Sequence, residues 1–512
     1  MKSLFYFSMM RYGFLLFLIL LSGTSSAYYE FDNNLHQSYS ALMDLQFDKA
    51  GELLNKESTE KPGNDLVLLF RNYIDFLKAF ISEEEASAEV LKKNSAARLK
   101  QLTKKEENAG SPFHLYAQAE MYIQQAFVKV KLREYVSAAS DVRRAYRLID
   151  NNSLQYSSFP LNQKLYGLLH IIIGSVPREY HWLVELAGMD GTVSQGTEEL
   201  NQLYKTVNNT PYDCYKEEIL FYLSNVYSIY HADDELKLME TLMMVQPYST
   251  GSPLMRYCVS SILMKLGKND DAIRVLEEPE SYMTSYPFNF LYYKLGLAKL
   301  RKLDYSAKSD FEKYVSSFKG QNYVKSAWQK IAWINRLTGD MQGYYAALAH
   351  CKTDGVSFID EDKDALNEAN AAEPVNTLLL RSRLLFDGGY YERAQTELSG
   401  MPIDSFPRYR DQLEVTYRLA RIAQKTGNME RAIDFYQKTI KNGSSSRAYF
   451  AANSSLLLGL YYEESHNYIK AKECFSNCLS MGIHEYQNSI DQKAQAGLDR
   501  VKEAEDAEAE KQ

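Results

Sequence analysis

The sequence predicts an all-α protein built from stacked helical hairpins. Three observations predict this fold class. The 512 residues include only 12 prolines and 25 glycines, although 45% of the chain is apolar. Small residues recur with aromatic or leucine residues at helical spacing, and turn-forming residues separate these segments. A chain this poor in glycine and proline is not collagen-like, disordered or a typical β-sandwich.

The N-terminus has the pattern of a secretory signal peptide. Lys2 and Arg11 precede an apolar run, 13–21, and Ser25 and Ala27 fit a small-residue cleavage rule. The run is too short for a membrane span, which takes about 20 apolar residues. We therefore expect a signal peptide, 1–27, cleaved after Ala27, and an exported chain, periplasmic or secreted, that keeps no transmembrane span. An uncleaved membrane anchor is the alternative.

The clearest internal repeat lies near the C-terminus. Gly459 is followed twelve residues later by Ala471, and Phe475 comes four residues after that. This spacing matches the tetratricopeptide pattern of a small residue on one helix, an alanine on the next and an aromatic residue one turn on. Because two helices approach closely only where their side chains are small, we expect Gly459 to face Ala471 across a helix pair.

The same unit recurs upstream. The alanines Ala394, Ala432 and Ala471 are 38 and 39 residues apart, slightly more than the basic repeat of about 34 residues. The spacing from Gly296 to Ala307 is one residue short of the pattern. Turn-forming residues occur where the repeat needs a turn, at Gly267-Lys268-Asn269, Gly339-Asp340, Gly388-Gly389 and Gly427-Asn428. The sequence thus predicts a tetratricopeptide-type helical-hairpin solenoid, a superhelix.

The solenoid is expected to have three parts. Residues 28–250 form an N-terminal helical repeat region with an inserted hairpin at 160–200, and residues 251–490 form the C-terminal repeat array. Residues 491–512 form a charged helical tail, which we expect to be solvated from Arg500 onward because it holds few aliphatic residues.

The inserted hairpin carries a pattern rich in glycine. In chain order its residues are Gly167, Ser175, Pro177, Gly188, Asp190, Gly191, Gly196 and Leu200. This order resembles the segment that marks the eukaryotic inclusion-body clearance proteins and their tetratricopeptide relatives, with His170 where that family has Asn and Met189 where it has Phe. The resemblance implies an all-helical solenoid with a distinctive hairpin and supplies no active site. An exported, bacterial relative is the resulting interpretation, and His170 is expected to be a core residue.

Sequence motifs for catalysis or metal binding are absent. There is no nucleophile elbow, no H-E-x-x-H and no paired C-x-x-C, so we expect no enzymatic activity, no metal and no cofactor. The run 360–364 begins like a calcium loop, but Ala365 and Ala371 replace the required Gly and Glu, which favours a solvated acidic loop. Five scattered cysteines are too few for a disulfide framework, and Cys474 and Cys478 are expected to fill a helix interface.

The repeat register also predicts a groove that binds a partner. In tetratricopeptide proteins the groove is lined at fixed offsets from the small residue of the first helix. Applied to Ala332, Ser382 and Ala420, these offsets give a groove of Gln329, Trp333, Arg336, Asn376, Arg383, Phe386, Tyr417 and Arg421, with Ser326, Leu379, Glu414 and Gln424 beside them. Arginine forks bind carboxylates through two parallel hydrogen bonds. The hypothesis is an acidic or C-terminal peptide bound here, and the alternative is that the arginines only solvate the groove wall.

Two classes of function remain open at this point. The first is an exported scaffold that binds a protein or peptide through the groove without catalysis. The second is a glycan-binding accessory protein or an enzyme of the cell envelope, which the 40 tyrosines would suit because aromatic faces stack on sugars. Nucleic acid is not expected as a partner, since the formal charge is −8 and a phosphate backbone would be repelled on average.

Overall fold

The computed structural model describes residues 29–104, 110–176, 182, 184, 188–232, 234–278 and 285–509. These residues contain 24 α-helices and no β-strand, which confirms the predicted all-α fold class. The predicted signal peptide, 1–27, lies outside the described residues. Among the described helices, none combines the length and apolar character needed to cross a bilayer.

The chain divides into two compact units. The first holds the described residues up to Ile262 together with those of Glu278–Asn289 and Phe318–Gly320. The second holds Leu263–Glu277, Phe290–Ser317 and the described residues from Gln321 onward. The predicted division after residue 250 lies close to the boundary at 262.

The first unit consists of consecutive helices that pair as hairpins. They are α1 (Asn33–Met43), α2 (Phe47–Glu60), α3 (Leu66–Ser82), α4 (Glu85–Thr103), α5 (Phe113–Lys131), α6 (Tyr135–Gln155), α7 (Leu161–Gly174), α8 (Val193–Thr206), α9 (Lys216–Tyr230), α10 (Glu235–Val245) and most of α11 (Pro253–Lys265). Each even-numbered helix up to α10 packs on the helix that precedes it. This pairing is the helical-hairpin organisation that the sequence predicts.

The second unit continues the hairpins. Its helices are α12 (Asn269–Glu277), α13 (Phe290–Arg301), α14 (Ala307–Ser317), α15 (Val324–Leu337), α16 (Met341–Thr353), α17 (Asp360–Ala369), α18 (Thr377–Asp387), α19 (Tyr391–Leu398), α20 (Tyr409–Lys425), α21 (Met429–Gly443), α22 (Phe450–Glu464), α23 (Tyr468–Ser480) and α24 (Gln487–Ala509). The hairpins are α13/α14, α15/α16, α18/α19, α20/α21 and α22/α23. The single helix α17 packs on α15 and α16, and α24 packs on α22 and α23.

The predicted turns separate the paired helices. Gly339 and Gly427 adopt the left-handed backbone region, with φ of +84° and +80°, where a residue with a Cβ is strained. The next residue then begins the second helix, because the side chains of Asp340 and Asn428 accept hydrogen bonds from backbone N–H groups of the first turn. A turn glycine followed by a capping residue therefore fixes where each hairpin reverses.

The repeat alanines lie at the centre of each hairpin. Ala307, Ala394, Ala432 and Ala471 are all fully buried. At the predicted crossing of Gly459 and Ala471, a Cβ on Gly459 would stand 2.5 Å from the ring of Phe475, the aromatic residue of the repeat pattern. The glycine provides room for that ring. Gly296 is one residue off the repeat spacing, but it provides room for the ring of Phe311 in the same way. The hairpin α13/α14 therefore packs like the others.

The inserted hairpin is held by a close crossing of α7 and α8. A Cβ on Gly196 would stand 2.2 Å from the carbonyl oxygen of Gly167, and a Cβ on Gly167 would stand 2.8 Å from the side chain of Leu200. Only glycine permits this approach. His170 is buried, as expected, and its Nδ1 lies 2.7 Å from a carboxylate oxygen of Glu199. Pro177 lies outside the described residues.

Two predicted solvated segments are packed instead. The acidic run 360–364 is the start of α17, and Asp362 is fully buried, where its carboxylate accepts hydrogen bonds from the backbone N–H groups of Tyr323 and Ser326. The expectation of a solvated acidic loop was therefore wrong, because this carboxylate caps α15. The expectation of a solvated tail from Arg500 onward was wrong at Val501, which is buried in the core beside Phe475.

Candidate protein-interaction face

Most of the predicted groove residues lie together on one surface of the second unit. We call this surface the arginine face, and it consists of Gln329, Lys330 and Trp333 of α15, Arg383 and Phe386 of α18, and Tyr417 and Arg421 of α20. The small residues Ala332, Ser382 and Ala420 are fully buried against the second helix of each hairpin. Their burial turns the neighbouring positions of the first helices toward a shared surface.

Trp333 is the base of one half of the arginine face. The guanidinium carbon of Arg383 lies 4.6 Å from the centre of the Trp333 rings, and the ammonium nitrogen of Lys330 lies 4.0 Å from it. The indole N–H donates to a carboxylate oxygen of Glu368 on α17 at 2.7 Å. The indole is thereby contacted by two cations at its rings and by one carboxylate at its N–H.

Phe386 and Tyr417 form the base of the other half. The guanidinium of Arg421 lies 5.0 Å from the centre of the Phe386 ring, and its Nη1 donates to the Tyr417 hydroxyl at 3.0 Å. The same hydroxyl accepts a hydrogen bond from the side-chain amide of Asn453 at 2.6 Å. Arg421 is therefore fixed by a ring and a hydroxyl, neither of which carries a negative charge.

The aromatic rings of the face are buried, and Phe386 and Tyr417 pack in the hydrophobic core as well as against these cations. Trp333, Phe386 and Tyr417 are only 6%, 8% and 2% exposed. The rings therefore position the guanidinium groups and offer little free surface to a ligand. What the face can present to a ligand is the hydrogen-bond donors of its half-buried arginines.

The cations of the face lack carboxylate partners. In the described part of the chain, no carboxylate oxygen forms an ion pair with Lys330, Arg383 or Arg421, whereas the adjacent Arg418 pairs with Glu414 at 3.0 Å. Arg383 also has one buried guanidinium nitrogen, Nη2, with no hydrogen-bond acceptor among the described residues. A buried donor without an acceptor costs about 1–3 kcal/mol, so this arrangement is unfavourable for the unliganded protein.

The electrostatics of the face follow from this surplus of positive charge. Burial and repulsion by Arg383 lower the pKa of Lys330 to about 8. Burial alone would raise the pKa of Glu414, yet the positive charges of Arg418 and Arg383 hold it below its ordinary value. Both pKa values are lowered, as excess positive charge requires, because it disfavours a protonated lysine and favours an ionised glutamate.

Some predicted groove residues have other roles. The side chain of Asn376 accepts hydrogen bonds from the backbone N–H groups of Leu378 and Leu379 and so begins α18. Arg336 donates to the sulfur of Met341 at 3.2 Å. The remaining flanking residues are Ser326, buried against the Tyr293 hydroxyl, Leu379, which is buried in the core, and Gln424, which accepts from Tyr436.

Two important residues were not predicted from the sequence. Lys330 does not lie at a groove offset, and it reaches the face because its side chain folds over Trp333. Glu368 belongs to α17, which no repeat spacing predicts, and its two oxygens accept from Gln329 and Trp333, each at 2.7 Å. No local sequence signal marks either contact, since both depend on how α17 packs against α15.

A second charged cluster lies inside the first unit. Lys164 is fully buried, and its ammonium group pairs with Glu120 at 2.9 Å and Glu218 at 2.6 Å. The hydroxyl groups that bond these three charges belong to Tyr39, Tyr73, Tyr116 and Tyr222. Burial and Glu218 raise the pKa of Tyr39 well above its ordinary value, which keeps that hydroxyl a hydrogen-bond donor. Through these buried ion pairs and hydrogen bonds the cluster joins α5, α7 and α9.

All five cysteines are free thiols, and Cys478 is buried in the core beside Phe475, as the interface prediction requires. Burial, followed by the nearby charge of Asp491, raises the pKa of Cys478 to about 12. Among the described residues, no group of three or more His, Cys, Asp or Glu side chains is placed to hold a metal ion.

The comparisons with known proteins found similarity to solved structures only. The chain is similar to the crystal structure of the APC/C hetero-tetramer Cut9–Hcn1, with 12% identity, coverage of 93% of this chain and 98% of that chain, and a TM-score of 0.24. It is also similar to the structure of Naa15/Naa10 bound to HypK-THB, with 11% identity, coverage of 92% and 78%, and a TM-score of 0.20. Scores this low carry no argument, so the tetratricopeptide-type fold rests on the hairpins themselves. No family model and no curated protein matches the chain, and the resemblance to the inclusion-body clearance family stays a prediction.

Proposed function

We propose that the protein is a non-catalytic scaffold that binds an acidic segment of a partner protein on the arginine face. The observation that carries this proposal is that Arg383 and Arg421 are each stacked on an aromatic ring while neither has a carboxylate partner among the described residues. Stacking fixes a guanidinium without neutralising it, which leaves its planar donor edge for an anion.

Charge complementarity selects the class of partner. Arg418 and Arg410, which flank the face, are already paired with Glu414 and Glu485. The stacked arginines thus differ from their neighbours in having no such partner. A segment with glutamate or aspartate side chains would supply the missing acceptors, and helical repeat proteins commonly bind extended segments along such a face.

The alternative of glycan binding is less well supported on this surface. Sugars stack on exposed aromatic faces, whereas Trp333, Phe386 and Tyr417 are at most 8% exposed. Phe386 and Tyr417 pack in the hydrophobic core, and a cation also contacts the rings of Trp333, so little aromatic surface is left for a sugar ring. The large number of tyrosines has another use in this chain, since many of them are buried in the helix interfaces.

Binding to a labelled acidic peptide tests the proposal. The probe is a fluorescein-labelled hexaglutamate amide, measured by fluorescence anisotropy, with hexaglutamine as the uncharged control peptide. The double variant Arg383→Ala, Arg421→Ala is expected to weaken binding by about 30-fold or more, since each desolvated charge contact is worth about 2–5 kcal/mol. The control variant is Arg431→Ala, because Arg431 is an exposed arginine that stacks on Phe435 outside the face.

Each possible result of this experiment either supports or overturns the proposal. Weaker binding by the double variant with unchanged binding by Arg431→Ala supports the proposal. Equal binding by all three proteins, or failure of the wild type to prefer hexaglutamate over hexaglutamine, overturns it. Circular dichroism of each variant establishes that the helices are retained.

We further propose that the scaffold acts outside the cytoplasm. This part rests on the basic, apolar and small-residue order of residues 1–27. Expression of the complete chain in a bacterial host, followed by mass spectrometry of the exported product, is expected to give Tyr28 as the first residue. A product that begins at Met1 and stays with the membrane would instead favour an uncleaved anchor.

A further inference from the structure

Lys330 is an unusual residue within the arginine face. It is only 8% exposed, yet its ammonium group has no carboxylate partner among the described residues. Its contacts are the side-chain oxygen of Gln329 at 2.6 Å and the rings of Trp333 at 4.0 Å. Arg383 lies over the same rings. Two cations therefore share one indole, and neither is neutralised by a direct ion pair.

We infer that Lys330 and Arg383 together anchor a single glutamate side chain of the partner segment. This inference rests on the proposed function and assigns the specificity of the same face. A carboxylate bound by the two cations would give each of them the direct ion pair that it lacks, and the buried Nη2 of Arg383, which has no acceptor among the described residues, shows that the guanidinium is not fully satisfied without a ligand. One anion thus satisfies two groups that are unfavourable in the unliganded protein.

The local charge count favours a monoanion. Lys330 and Arg383 contribute two positive charges, and Glu368, which Gln329 links to Lys330, contributes one negative charge. Glu361 of α17 also faces Lys330, and Glu414 lies in the field of Arg383, so a ligand with one negative charge is repelled less than a ligand with two. A phosphate dianion would leave a surplus negative charge in a poorly hydrated site, at an electrostatic cost.

Burial favours a side chain over a chain terminus. A glutamate carboxylate reaches Lys330 on a flexible aliphatic stem, and the backbone of the partner remains at the surface. A C-terminal carboxylate would bring its own backbone N–H group into the site, where it would need an acceptor. Glu368 contacts the same indole from α17 in this manner, through a long side chain from a neighbouring helix.

The anchor is expected to depend on pH. Lys330 is faced by Glu368 and Glu361 of α17, by Arg383 of α18 and by Cys351 of α16, whose pKa burial raises to about 12. Burial and Arg383 lower the pKa of Lys330 to about 8, so the ammonium form is lost as the pH rises through this value. An incoming carboxylate favours the ammonium form, and it should therefore raise the pKa of Lys330 and bind more weakly above pH 8.

The test uses blocked pentapeptides that differ in one group. The probes are acetyl-Ala-Ala-Glu-Ala-Ala-amide, the same peptide with glutamine or phosphoserine at the centre, and acetyl-pentaalanine with a free C-terminus. Binding is followed by the fluorescence of Trp333 in the full chain with Trp182→Phe and Trp328→Phe, which leaves one indole. We expect the glutamate peptide to bind most tightly, and Lys330→Met to weaken it by about tenfold or more.

The matched control is Lys313→Met. Lys313 also lies 4.0 Å from the centre of an aromatic ring, that of Tyr292, but it is exposed on α14. This control is expected to leave binding unchanged. A second readout on the wild type is lysine ¹³Cε NMR, with the Lys330 resonance assigned by its loss in Lys330→Met, and its pKa is expected to rise on addition of the glutamate peptide.

Several results would overturn the inference. Tighter binding of the free C-terminus or of the phosphoserine peptide would assign a different ligand group. Equal affinity of wild type and Lys330→Met, or an unchanged Lys330 pKa on binding, would remove Lys330 from the site. If hexaglutamate still binds the wild type and depends on Arg383 and Arg421, only the anchor fails, whereas no binding of hexaglutamate refutes the proposed function itself.

Discussion

Replacing Lys330 with methionine is expected to stabilise the second unit while it removes the proposed anchor. Methionine keeps the unbranched apolar stem that packs on Trp333 and removes the charge. The difference in unfolding free energy between the wild type and the variant therefore reports the cost of burying an unpaired ammonium group, because the packing of the stem is kept.

The magnitude follows from the titration of Lys330. Its pKa falls from 10.5 to about 8 in the folded protein, mainly because of burial and secondly because of Arg383. A shift of this size corresponds to about 3 kcal/mol of destabilisation of the charged form. The cation–π attraction to Trp333 offsets part of that cost, by about 0.5–2 kcal/mol. We therefore expect Lys330→Met to raise the free energy of unfolding by about 1–3 kcal/mol at neutral pH.

The sign of the pH dependence is fixed by the same shift. Below pH 8 the lysine is protonated in both the folded and the unfolded chain, so the wild type carries the full cost. Between pH 8 and 10.5 the unfolded chain binds the proton more tightly than the folded one, so the stability of the wild type rises relative to the variant. The stability difference between the two proteins should shrink over this interval.

Urea unfolding at about pH 7 and about pH 10 measures both effects. The transition of the second unit is followed by Trp333 fluorescence in the background without Trp182 and Trp328. A variant that is less stable than the wild type at about pH 7 would refute the reasoning. A stability gain that keeps its full size at about pH 10 would also refute it, because the gain would then arise from packing rather than from charge.

Three further predictions concern other parts of the fold. Lys164→Ala leaves two buried glutamates without their counter-ion and should destabilise the first unit by about 3–5 kcal/mol, seen as faster amide hydrogen exchange in α5, α7 and α9; unchanged exchange would contradict it. Gly459→Leu should overpack against Phe475 and cost about 1–3 kcal/mol, whereas Gly51→Leu, a helical glycine with open space around its Cα, should cost nothing in thermal unfolding. Burial raises the pKa of Glu217 to about 8, so stability should fall from pH 4.5 toward pH 8, and Glu217→Gln should abolish this part of the pH dependence in urea titrations.

The fold could be predicted because its determinants are short-range. A glycine in a turn, a capping Asn or Asp and a small residue twelve positions from an alanine are all visible within one hairpin. Gly427, Asn428 and Ala432 occupy in the structure the turn, cap and core positions that the sequence assigns to them. Gly459 and Phe475 also belong to one hairpin, and the aromatic residue of the repeat pattern fills the space beside the glycine.

The candidate site could be predicted only in part. The offsets place Arg383, Phe386, Tyr417 and Arg421 correctly relative to one another, because these residues belong to adjacent hairpins of one register. Glu368 could not be found, because α17 interrupts that register and no repeat spacing describes it. The cluster around Lys164 was missed for a similar reason, since its charges come from α5, α7 and α9 and are separated by up to 98 residues in sequence.

The three most buried lysines of the described residues show why Lys330 is exceptional. Lys164 is paired with two carboxylates, and Lys325 donates to the carbonyl oxygen of Cys351 at 2.8 Å at the end of α16. Each thus has acceptors that offset the cost of burying an ammonium group. Lys330 has one amide oxygen and an aromatic ring, with the positive charge of Arg383 beside it. Lys330 therefore has the weakest compensation of the three, and the proposed ligand carboxylate would supply its counter-charge.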